Sequence, residues 1–209
     1  MTLWLFALVE DEVDLRRGIG APLELVRAAG AFVVAQRSAP LPAETANLVA
    51  HDRVIGSLAR RTAVLPFRFG TTTASATALR SLLAPRKEAI ARAFDRVRDA
   101  VQLTLRVRGE AAPPAAPPTG GPGTQWLAKR LAAGQVPEIA SVLGATKALV
   151  RASRAERHDR ERDLATVYQL VARSDLRAWR AAVAATLPSL DVEVAVGGPY
   201  APYAFAELA

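Results

Sequence analysis

The segment AVLPFRFGTT, residues 63–72, combines strand-forming residues with a central proline and a closing glycine. Successive side chains of an extended chain point to opposite faces. One face therefore carries Leu65, Phe67 and Phe69, and the other carries Val64, Pro66 and Arg68. Pro66 cannot donate a ladder hydrogen bond, which favours a sheet edge or a bulge. We predict an edge strand with an apolar face toward the core and an arginine on the face where a partner can dock.

The composition is that of a folded protein with substantial cores. Of the 209 residues, 51% are hydrophobic, which is enough for one large or two small domains. The chain contains no cysteine, which excludes disulfides and thiolate ligands and is typical of a reducing compartment. The apolar run Thr2–Val9 is far shorter than the roughly 20 residues of a membrane helix and follows no basic leader. We expect a cytoplasmic protein that is neither exported nor anchored.

The chain is basic, with 27 lysines and arginines against 20 acidic residues and a formal charge of +7. An excess of basic residues is typical of proteins that bind nucleic acid or an acidic surface. Here the cations are dispersed and are nearly all arginines in an alanine-rich chain, a pattern that a biased genome composition also produces. We favour this second interpretation and keep nucleic-acid binding as the alternative.

A segment rich in proline, alanine and glycine, residues 109–123, divides the chain. It cannot bury enough apolar surface to offset its ordering entropy, so we predict a linker or loop. The predicted domains are residues 1–108 and residues 124–209, the second ending in an aromatic and proline-rich tail at 197–209. The strand predicted at 101–108 fits either domain.

In the first part, hydrophobic periodicity predicts strands at 2–9 and 31–36, a short helix at 22–29 and a longer helix at 43–61. The expected buried stripe of the longer helix is Leu48, His51, Ile55, Leu58 and Thr62. Two further helices follow the opening segment. The second of them begins at Pro85 and turns Ile90, Phe94 and Val97 inward. The alternating segment 101–108 is predicted to be a half-exposed antiparallel strand.

In the second part, helices are predicted at 124–131 and 137–150, and the charged segment 151–163 is predicted to be a solvated helix end. A strand follows at 164–172. Ser174 is expected to cap a helix that buries Leu176, Trp179 and Val183. A last strand, 190–196, places Asp191 and Glu193 opposite Arg106 and Arg108 if the two strands are neighbours. The alternation of strands and helices predicts an α+β protein of two small domains, each a β-sheet covered by helices.

Groups with the chemistry of a catalytic or metal site are few. His51 lies on an apolar stripe, where a structural histidine is more common than a ligand, and His158 lies in a charged segment. The acidic turn Glu10–Asp14 lacks the spacing of a calcium loop. The segments GATK, 144–147, and GGPGTQW, 120–126, lack the features of a phosphate loop. No catalytic residue, metal or cofactor is therefore expected.

Two segments resemble the signature regions of one protein family. Residues 51–71, HDRVIGSLARRTAVLPFRFGT, and residues 196–208, VGGPYAPYAFAEL, are similar to the two signature regions of the gas vesicle protein F/L family (GvpF/GvpL). The opening strand fits as well, so the resemblance spans essentially the whole chain. Tyr200 stands where this family commonly has tryptophan, and Ala201 replaces a proline. The matching residues are His51, Leu65, Pro66, Arg68, Phe69, Gly70, Gly198, Pro199, Tyr200, Pro202, Tyr203 and Phe205.

This resemblance implies an accessory protein of gas vesicle assembly that is not an enzyme. It also implies that the second domain is of modified ferredoxin-like type. The implied partners are the small hydrophobic wall protein, bound in a chaperone-like or nucleating role, and other accessory proteins. Neither nucleic acid nor a lipid membrane is an expected partner. The implied location is the cytoplasm, in association with gas vesicles.

The motif residues divide into two predicted roles. Candidate partner-binding residues are Pro66, Arg68, Phe69, Gly70, Pro199, Tyr200, Pro202 and Tyr203, because a proline-stiffened aromatic segment loses little entropy on contact. A structural role is expected for His51, Leu65, Phe67 and Phe205, since large apolar residues at strand spacing usually fill cores. Two alternatives stay open, namely a basic nucleic-acid-binding α+β protein and a small-molecule enzyme built around His51 or the acidic turn.

Overall fold

The protein divides into two compact units, residues 1–101 with 200–209, and residues 102–199. The computed structural model describes residues 2–15, 18–110, 121, 123, 134–160 and 162–207. Residues 200–207 belong to the first unit, whereas we placed the whole tail in the second domain. The predicted linker, 109–123, and the predicted helix at 124–131 lie largely or wholly outside the described residues.

The first unit is built on an antiparallel sheet with strand order β2-β3-β1-β4, in which β5 also pairs with β1. The strands are β1 (Thr2–Val9), β2 (Leu23–Ala28), β3 (Ala31–Ser38), β4 (Val64–Pro66) and β5 (Thr72–Thr73). Strand β1 is interior and buried on both faces, and the predictions of this strand and of β3 are confirmed. Pro66 lies in an outer strand, as its missing N–H predicts.

The predicted helix at 22–29 is wrong, because this segment is strand β2. It pairs with β3 in a hairpin whose register runs to Ala28 opposite Ala31. The two turn residues, Ala29 and Gly30, have φ values of 52° and 82°. Positive φ at both central positions is the geometry of a two-residue hairpin turn, and an alanine at the first of them hides the usual sequence signal.

Three helices complete the first unit: α1 (Thr45–Ala59), α2 (Ala76–Leu83) and α3 (Lys87–Val97). Ser75 caps α2 by accepting a hydrogen bond from the backbone N–H of Ala78 at 3.1 Å. Helix α1 buries His51, Ile55 and Leu58 as predicted. Leu48, however, is 43% exposed, so the buried stripe begins one turn later than predicted.

One hydrophobic core of the first unit lies between β1 and helix α1. Its buried members come from β1, β3, α1, β4 and the tail: Trp4, Phe6, Ala7, Val9, Val34, Ile55, Leu58, Val64 and Ala201. Burial of apolar surface of this kind contributes about 25 cal/mol per Å². Ala201 of the tail is therefore buried in the same core as the residues of strand β1.

The second unit has the order β-α-β-β-α-β, the ferredoxin-like arrangement. Its strands are β6 (Ala100–Arg108), β7 (Val150–Arg160), β8 (Asp163–Ala172) and β9 (Glu193–Tyr200), in sheet order β7-β8-β6-β9. Its helices, among the described residues, are α4 (Ala140–Thr146) and α5 (Leu176–Thr186), each extended by short 3₁₀ turns. The strands predicted at 101–108, 164–172 and 190–196 are confirmed. Strand β6 is interior and mostly buried rather than half-exposed.

The prediction that the charged segment 151–163 is a solvated helix end is wrong. The segment contains most of edge strand β7, which pairs antiparallel with β8. Register shifts between Val150 and Ala152 and between Arg157 and Arg160 break the period of two that identifies a strand. Arg157 on this strand forms an ion pair with Glu138 at 2.8 Å. Charged side chains on an edge strand also disfavour pairing with another chain.

Two further contacts differ from the predicted ones. Strands β6 and β9 are neighbours as expected, but Arg108 forms its ion pair with Asp163 at 3.0 Å instead of with Asp191 or Glu193. Asp175, and not Ser174, occupies the N-cap position of α5. The register between β6 and β9 is set by non-local strand pairing, so the sequence alone does not determine which side chains lie opposite each other.

A chain of buried hydrogen bonds joins the helices of the second unit to its sheet. Trp179 Nε1 on α5 donates to Gln169 Oε1 on β8 at 2.6 Å. Gln169 Nε2 donates in turn to Thr146 Oγ1 on α4 at 3.2 Å, and Thr146 donates to the Val142 carbonyl at 2.9 Å. Because the three side chains are at most 2% exposed, each depends on the others to satisfy its polar atoms.

Substituting Gln169→Leu is expected to lower the free energy of unfolding by about 1–3 kcal/mol, since it strands the Trp179 N–H in the core. Urea unfolding followed by circular dichroism measures the change. Gln135→Leu is the matched control, because Gln135 is exposed, and it should change stability by less than about 0.5 kcal/mol. Equal stability of the two variants would contradict this account of the buried chain.

Candidate functional site

His51 is the centre of an aromatic cluster in the first unit. Helix α1 carries it toward β1, where its ring stacks on Phe6 with centroids 5.0 Å apart and planes at 23°. Phe69 meets His51 edge-on at 5.4 Å and meets Trp4 edge-on at 4.8 Å. Such offset and edge-on pairs add roughly 0.5–1.5 kcal/mol each beyond the area that they bury. The cluster therefore joins β1, α1 and the segment after β4.

The hydrogen bonds of His51 determine its protonation. Trp4 Nε1 can only donate, and it lies 3.3 Å from His51 Nδ1, which must therefore be an unprotonated acceptor. The proton of the neutral ring is then on Nε2, 3.3 Å from the carbonyl oxygen of Phe67, to which it donates. Both ring nitrogens are satisfied by partners far away in sequence. The expected structural role of His51 agrees with this geometry.

Burial lowers the pKa of His51 below its usual value of 6.5. The hydrogen bond to Phe67 and the negative charge of Asp52 act in the opposite direction but do not offset the loss of hydration. A proton on Nδ1 would also meet the N–H of Trp4. The cluster thus requires the neutral form of the histidine.

The segment after β4 leaves the sheet in a tight turn. Phe67 N donates to the carbonyl of Phe6 at 2.9 Å, and both N and Oγ1 of Thr71 donate to the carbonyl of Arg68, at 3.1 and 2.7 Å. Gly70 has φ +88°, a conformation that favours glycine. The predicted alternation stops at Pro66 because the chain turns here. Val64, predicted on the exposed face, is buried in the core beside α1, and Leu65 is buried as well. Arg68 is exposed at the tip of the turn.

The tail packs against helix α1 of the same unit. Ala201 belongs to the core and Phe205 is 6% exposed, as expected for a structural residue. Tyr203 donates its hydroxyl to Asp52 Oδ1 at 2.9 Å, and burial, then the charge of Asp52, raises the pKa of this tyrosine. Tyr200 and Tyr203 keep 46% and 37% of their surface exposed.

The structure brings most of the motif residues together in the first unit. Among the candidate partner-binding residues, Arg68, Gly70, Tyr200 and Tyr203 are exposed, and Pro199, at the end of β9, is exposed as well. Pro66 and Phe69 are half-buried, and Pro202 is buried, so its side chain is inside the fold of the free chain. Of the expected structural residues, His51, Leu65 and Phe205 are buried and Phe67 is half-buried.

Sequence reasoning missed three residues of the site: Trp4 and Phe6, which complete the aromatic cluster, and Asp52, which binds the tail. Trp4 and Phe6 are two residues apart on β1, and a register shift between Leu5 and Ala7 sets Phe6 outside the ladder with β3. Asp52 directly follows the motif histidine. The available signal was a tryptophan in an otherwise apolar strand, because a buried tryptophan N–H needs an acceptor.

The groups considered for metal or catalytic chemistry are dispersed. Glu10 pairs with Arg98, and Asp11 accepts a hydrogen bond from Thr62 at 3.2 Å. His158 Nε2 lies 2.7 Å from Thr166 Oγ1 on the neighbouring strand. In the part of the chain that the structure describes, no three histidine, aspartate or glutamate side chains group as metal ligands would.

A family model of the gas vesicle synthesis proteins GvpL and GvpF matches residues 2–116, more than half of the chain. The chain belongs to the GvpL/GvpF family. This family functions in gas vesicle assembly, and so does this chain. The match covers the first signature region, with the histidine and the turn that form the aromatic cluster.

Solved structures of GvpF proteins share the fold over the full chain. GvpF from Microcystis aeruginosa aligns with a TM-score of 0.79 at 12% identity and 99% coverage of both chains. GvpF from Anabaena sp. PCC7120 aligns with a TM-score of 0.76 at 14% identity, covering 100% of this chain and 99% of that one. These likenesses confirm the two-domain α+β fold. No curated protein sequence matches the chain.

Among the described residues, none of the helices combines the length and the apolarity needed to span a membrane.

The stability of the protein is expected to fall as the pH drops below about 6.5, because the unfolded chain then binds a proton that folded His51 resists. Urea unfolding between pH 7 and pH 5 measures the slope of the free energy of unfolding against pH. This range lies above the pKa of most carboxylates, which is roughly 4. His51→Gln should flatten the slope. His158→Gln, the same substitution at the other histidine of the chain, should retain it, and a slope unchanged in His51→Gln would contradict the assignment.

Tyr203→Phe should loosen the tail, since it removes the hydroxyl that bonds to Asp52, at a cost of about 0.5–1.5 kcal/mol. Hydrogen–deuterium exchange of a peptide covering residues 200–207 should become several-fold faster. Tyr200→Phe is the matched control and should exchange like the wild type. If both variants exchange at the same rate, the hydroxyl of Tyr203 does not hold the tail.

Proposed function

We propose that this protein acts in gas vesicle assembly by binding the small hydrophobic wall subunit and keeping it soluble and competent to polymerise. The proposed binding region is the motif surface, defined as the exposed side chains of Leu48, Asp52, Arg68, Tyr200 and Tyr203. Other accessory proteins of the vesicle are proposed as further partners. The proposed place of action is the cytoplasm, in association with the vesicles.

The observation that carries this proposal is the meeting of the two signature segments at one place. The first segment is closed on itself by the hydrogen bond from His51 to the Phe67 carbonyl, and the tail binds to this segment through the hydrogen bond from Tyr203 to Asp52. Leu48 is one helical turn before Asp52 and is 43% exposed. Two segments that are about 130 residues apart in the chain thus form one surface.

The composition of the motif surface suits a transient apolar contact. Tyrosine and arginine are the residue types that most often dominate binding energy, and a large exposed leucine adds apolar area. The tyrosines are held by a proline-rich tail whose Ala201, Pro202 and Phe205 are buried, so little conformational entropy is lost on binding. A complete interface needs about 1,200–2,000 Å² in total, which requires neighbouring surface to contribute.

The edge of the sheet beside this surface offers a second way to hold a partner. Strands β4 and β5 are outer strands, and β5 is only two residues long. An extended segment of a partner can add to such an edge through backbone hydrogen bonds. Pro66 has no N–H to donate to a partner strand, so we expect such pairing along the residues of the edge that follow it.

The proposed role requires no chemical step, and we therefore propose a binding protein and not an enzyme. Nucleic-acid binding is less well supported, because several arginines that could contact phosphates are already paired with carboxylates. Arg37 pairs with Glu24 at 3.2 Å, Arg108 with Asp163 at 3.0 Å and Arg157 with Glu138 at 2.8 Å.

Co-expression with the wall subunit of the same gas vesicle system tests the proposal. The wild-type chain should raise the soluble fraction of the wall subunit and co-purify with it. The triple variant Leu48→Ala, Arg68→Ala, Tyr200→Ala should reduce both by at least about fivefold, the result of losing several hot-spot side chains. Each of these three residues is exposed, so the variant should fold.

The matched control is Leu82→Ala with Arg86→Ala, which removes an exposed leucine (57% exposed) and an exposed arginine elsewhere in the first unit. This control should retain the effect on the wall subunit. A wall subunit whose solubility does not depend on the wild-type chain would refute the proposed role. Equal losses in the test and control variants would refute the motif surface.

A further inference from the structure

A second surface of helix α1 contains a small apolar groove. The groove lies between α1 and the segment that leads into β2, and its volume is about 240 Å³. Its floor and walls are mostly apolar, and two arginines stand at the rim. The lining residues are Gly18, Leu23, Ala50, Arg53, Val54, Ser57, Leu58 and Arg61.

The local structure keeps this groove open. The backbone N–H and carbonyl of Ile19 are both bonded to the buried Gln36 side chain, at 2.8 and 3.1 Å, which fixes the wall opposite α1. At Gly18 a Cβ atom would lie 2.3 Å from Gln36 Oε1 and 2.9 Å from Leu23 Cδ2, so a larger residue would displace this wall. On the helix side, Ala50 supplies a small side chain. The groove is therefore a built feature of the unit.

Two arginines at the rim supply positive charge, and one of them, Arg61, also contacts the backbone of the acidic turn at Asp14. Arg61 donates to two backbone carbonyls, from Nη1 to Asp14 at 2.7 Å and from Nε to Ser57 at 3.2 Å, which fixes its guanidinium. Over the described ranges of the chain, neither Arg53 nor Arg61 forms an ion pair with a carboxylate. A carboxylate brought to this rim would make charge-assisted hydrogen bonds without first displacing an acidic partner.

The size and lining of the groove favour a side chain over a metabolite. Small-molecule pockets usually enclose roughly 300–1,000 Å³, which is more than this groove offers. Its apolar floor does not match the phosphates and sugars of a nucleic acid, which are bound by longer stripes of cations. Val49, one turn before Arg53, is 43% exposed and extends the apolar surface along the helix.

We propose that this groove docks an acidic amphipathic helix of a partner protein. An apolar side chain of that helix fills the space over Val54 and Leu58, and two flanking carboxylates bind Arg53 and Arg61. Arg53 lies on α1 and Arg61 lies two residues beyond its last residue, Ala59, so in sequence the two cations flank Val54 and Leu58 of the groove. The inference does not depend on the binding of the wall subunit, because it concerns a different face of α1.

The probe is a synthetic helical peptide of about 18 residues, long enough to form a helix, with leucines on one face and glutamates two turns apart. A matched peptide has lysine in place of each glutamate. Binding is measured at low salt by fluorescence anisotropy on the full chain. The glutamate peptide should bind at least about tenfold more tightly than the lysine peptide, a difference of one close charge pair or more.

Two variants separate the contributions of charge and shape. Arg53→Glu should weaken the glutamate peptide at least about tenfold and reverse the preference between the peptides. Ala50→Leu should weaken it by a similar factor, because the added side chain fills the groove and leaves the arginines in place. Arg86→Glu, the same change of net charge at an exposed site outside the groove, should stay within about twofold of the wild type.

Chemical-shift mapping on the wild-type chain gives a readout that does not depend on the folding of a variant. Shifts concentrated at Ala50, Val54 and Leu58 would support the proposal, and shifts elsewhere would overturn it. It would also be overturned by equal binding of the two peptides, by equal effects of Arg53→Glu and Arg86→Glu, or by an absence of binding. Tighter binding of a single-stranded oligonucleotide at this groove, or a dimer of the chain that Arg53→Glu disrupts, would show a different occupant and likewise overturn it.

Discussion

The imidazole of His51 holds three separate parts of the first unit in register. Its Nδ1 accepts from Trp4 on the first strand, its Nε2 donates to Phe67 after β4, and its ring packs on Phe6. Because both nitrogens are committed, the histidine must stay neutral, and its burial lowers its pKa accordingly. The turn that presents Arg68 and the helix that receives the tail are positioned by this one side chain. A residue type often associated with chemistry is used here as a structural hydrogen-bonding hub.

The sequence was most informative where a pattern repeats over many residues. Strand β1, helix α1 and the paired signature segments were all predicted, and His51 was correctly assigned to the buried stripe of α1. The errors have local causes. An Ala29–Gly30 turn with positive φ made β2 resemble a helix, and register shifts in β7 removed the alternation that would have identified it. The hydrogen-bond partners of His51 were beyond prediction because they are set by non-local strand pairing.

Helix α1 has three rows of side chains, and each row faces a different part of the first unit. One stripe, His51, Ile55 and Leu58, is buried in the core. A second carries Leu48 and Asp52 toward the tail, and a third carries Ala50, Arg53 and Ser57 along the groove. The rigidity of the first stripe is what gives the other two a fixed geometry, since a binding surface on a well-packed helix loses little entropy when it is occupied. One helix can in this way take part in two contacts that do not compete for the same residues.

The tail belongs to a unit that the chain began about 100 residues before it entered the second unit. During translation the second unit is therefore completed first, while the first still lacks Ala201 in its core and Tyr203 beside Asp52. Domains generally fold as the ribosome releases them. A chain that stops before Tyr200 consequently lacks this aromatic segment, and a partner that recognises the segment cannot bind it.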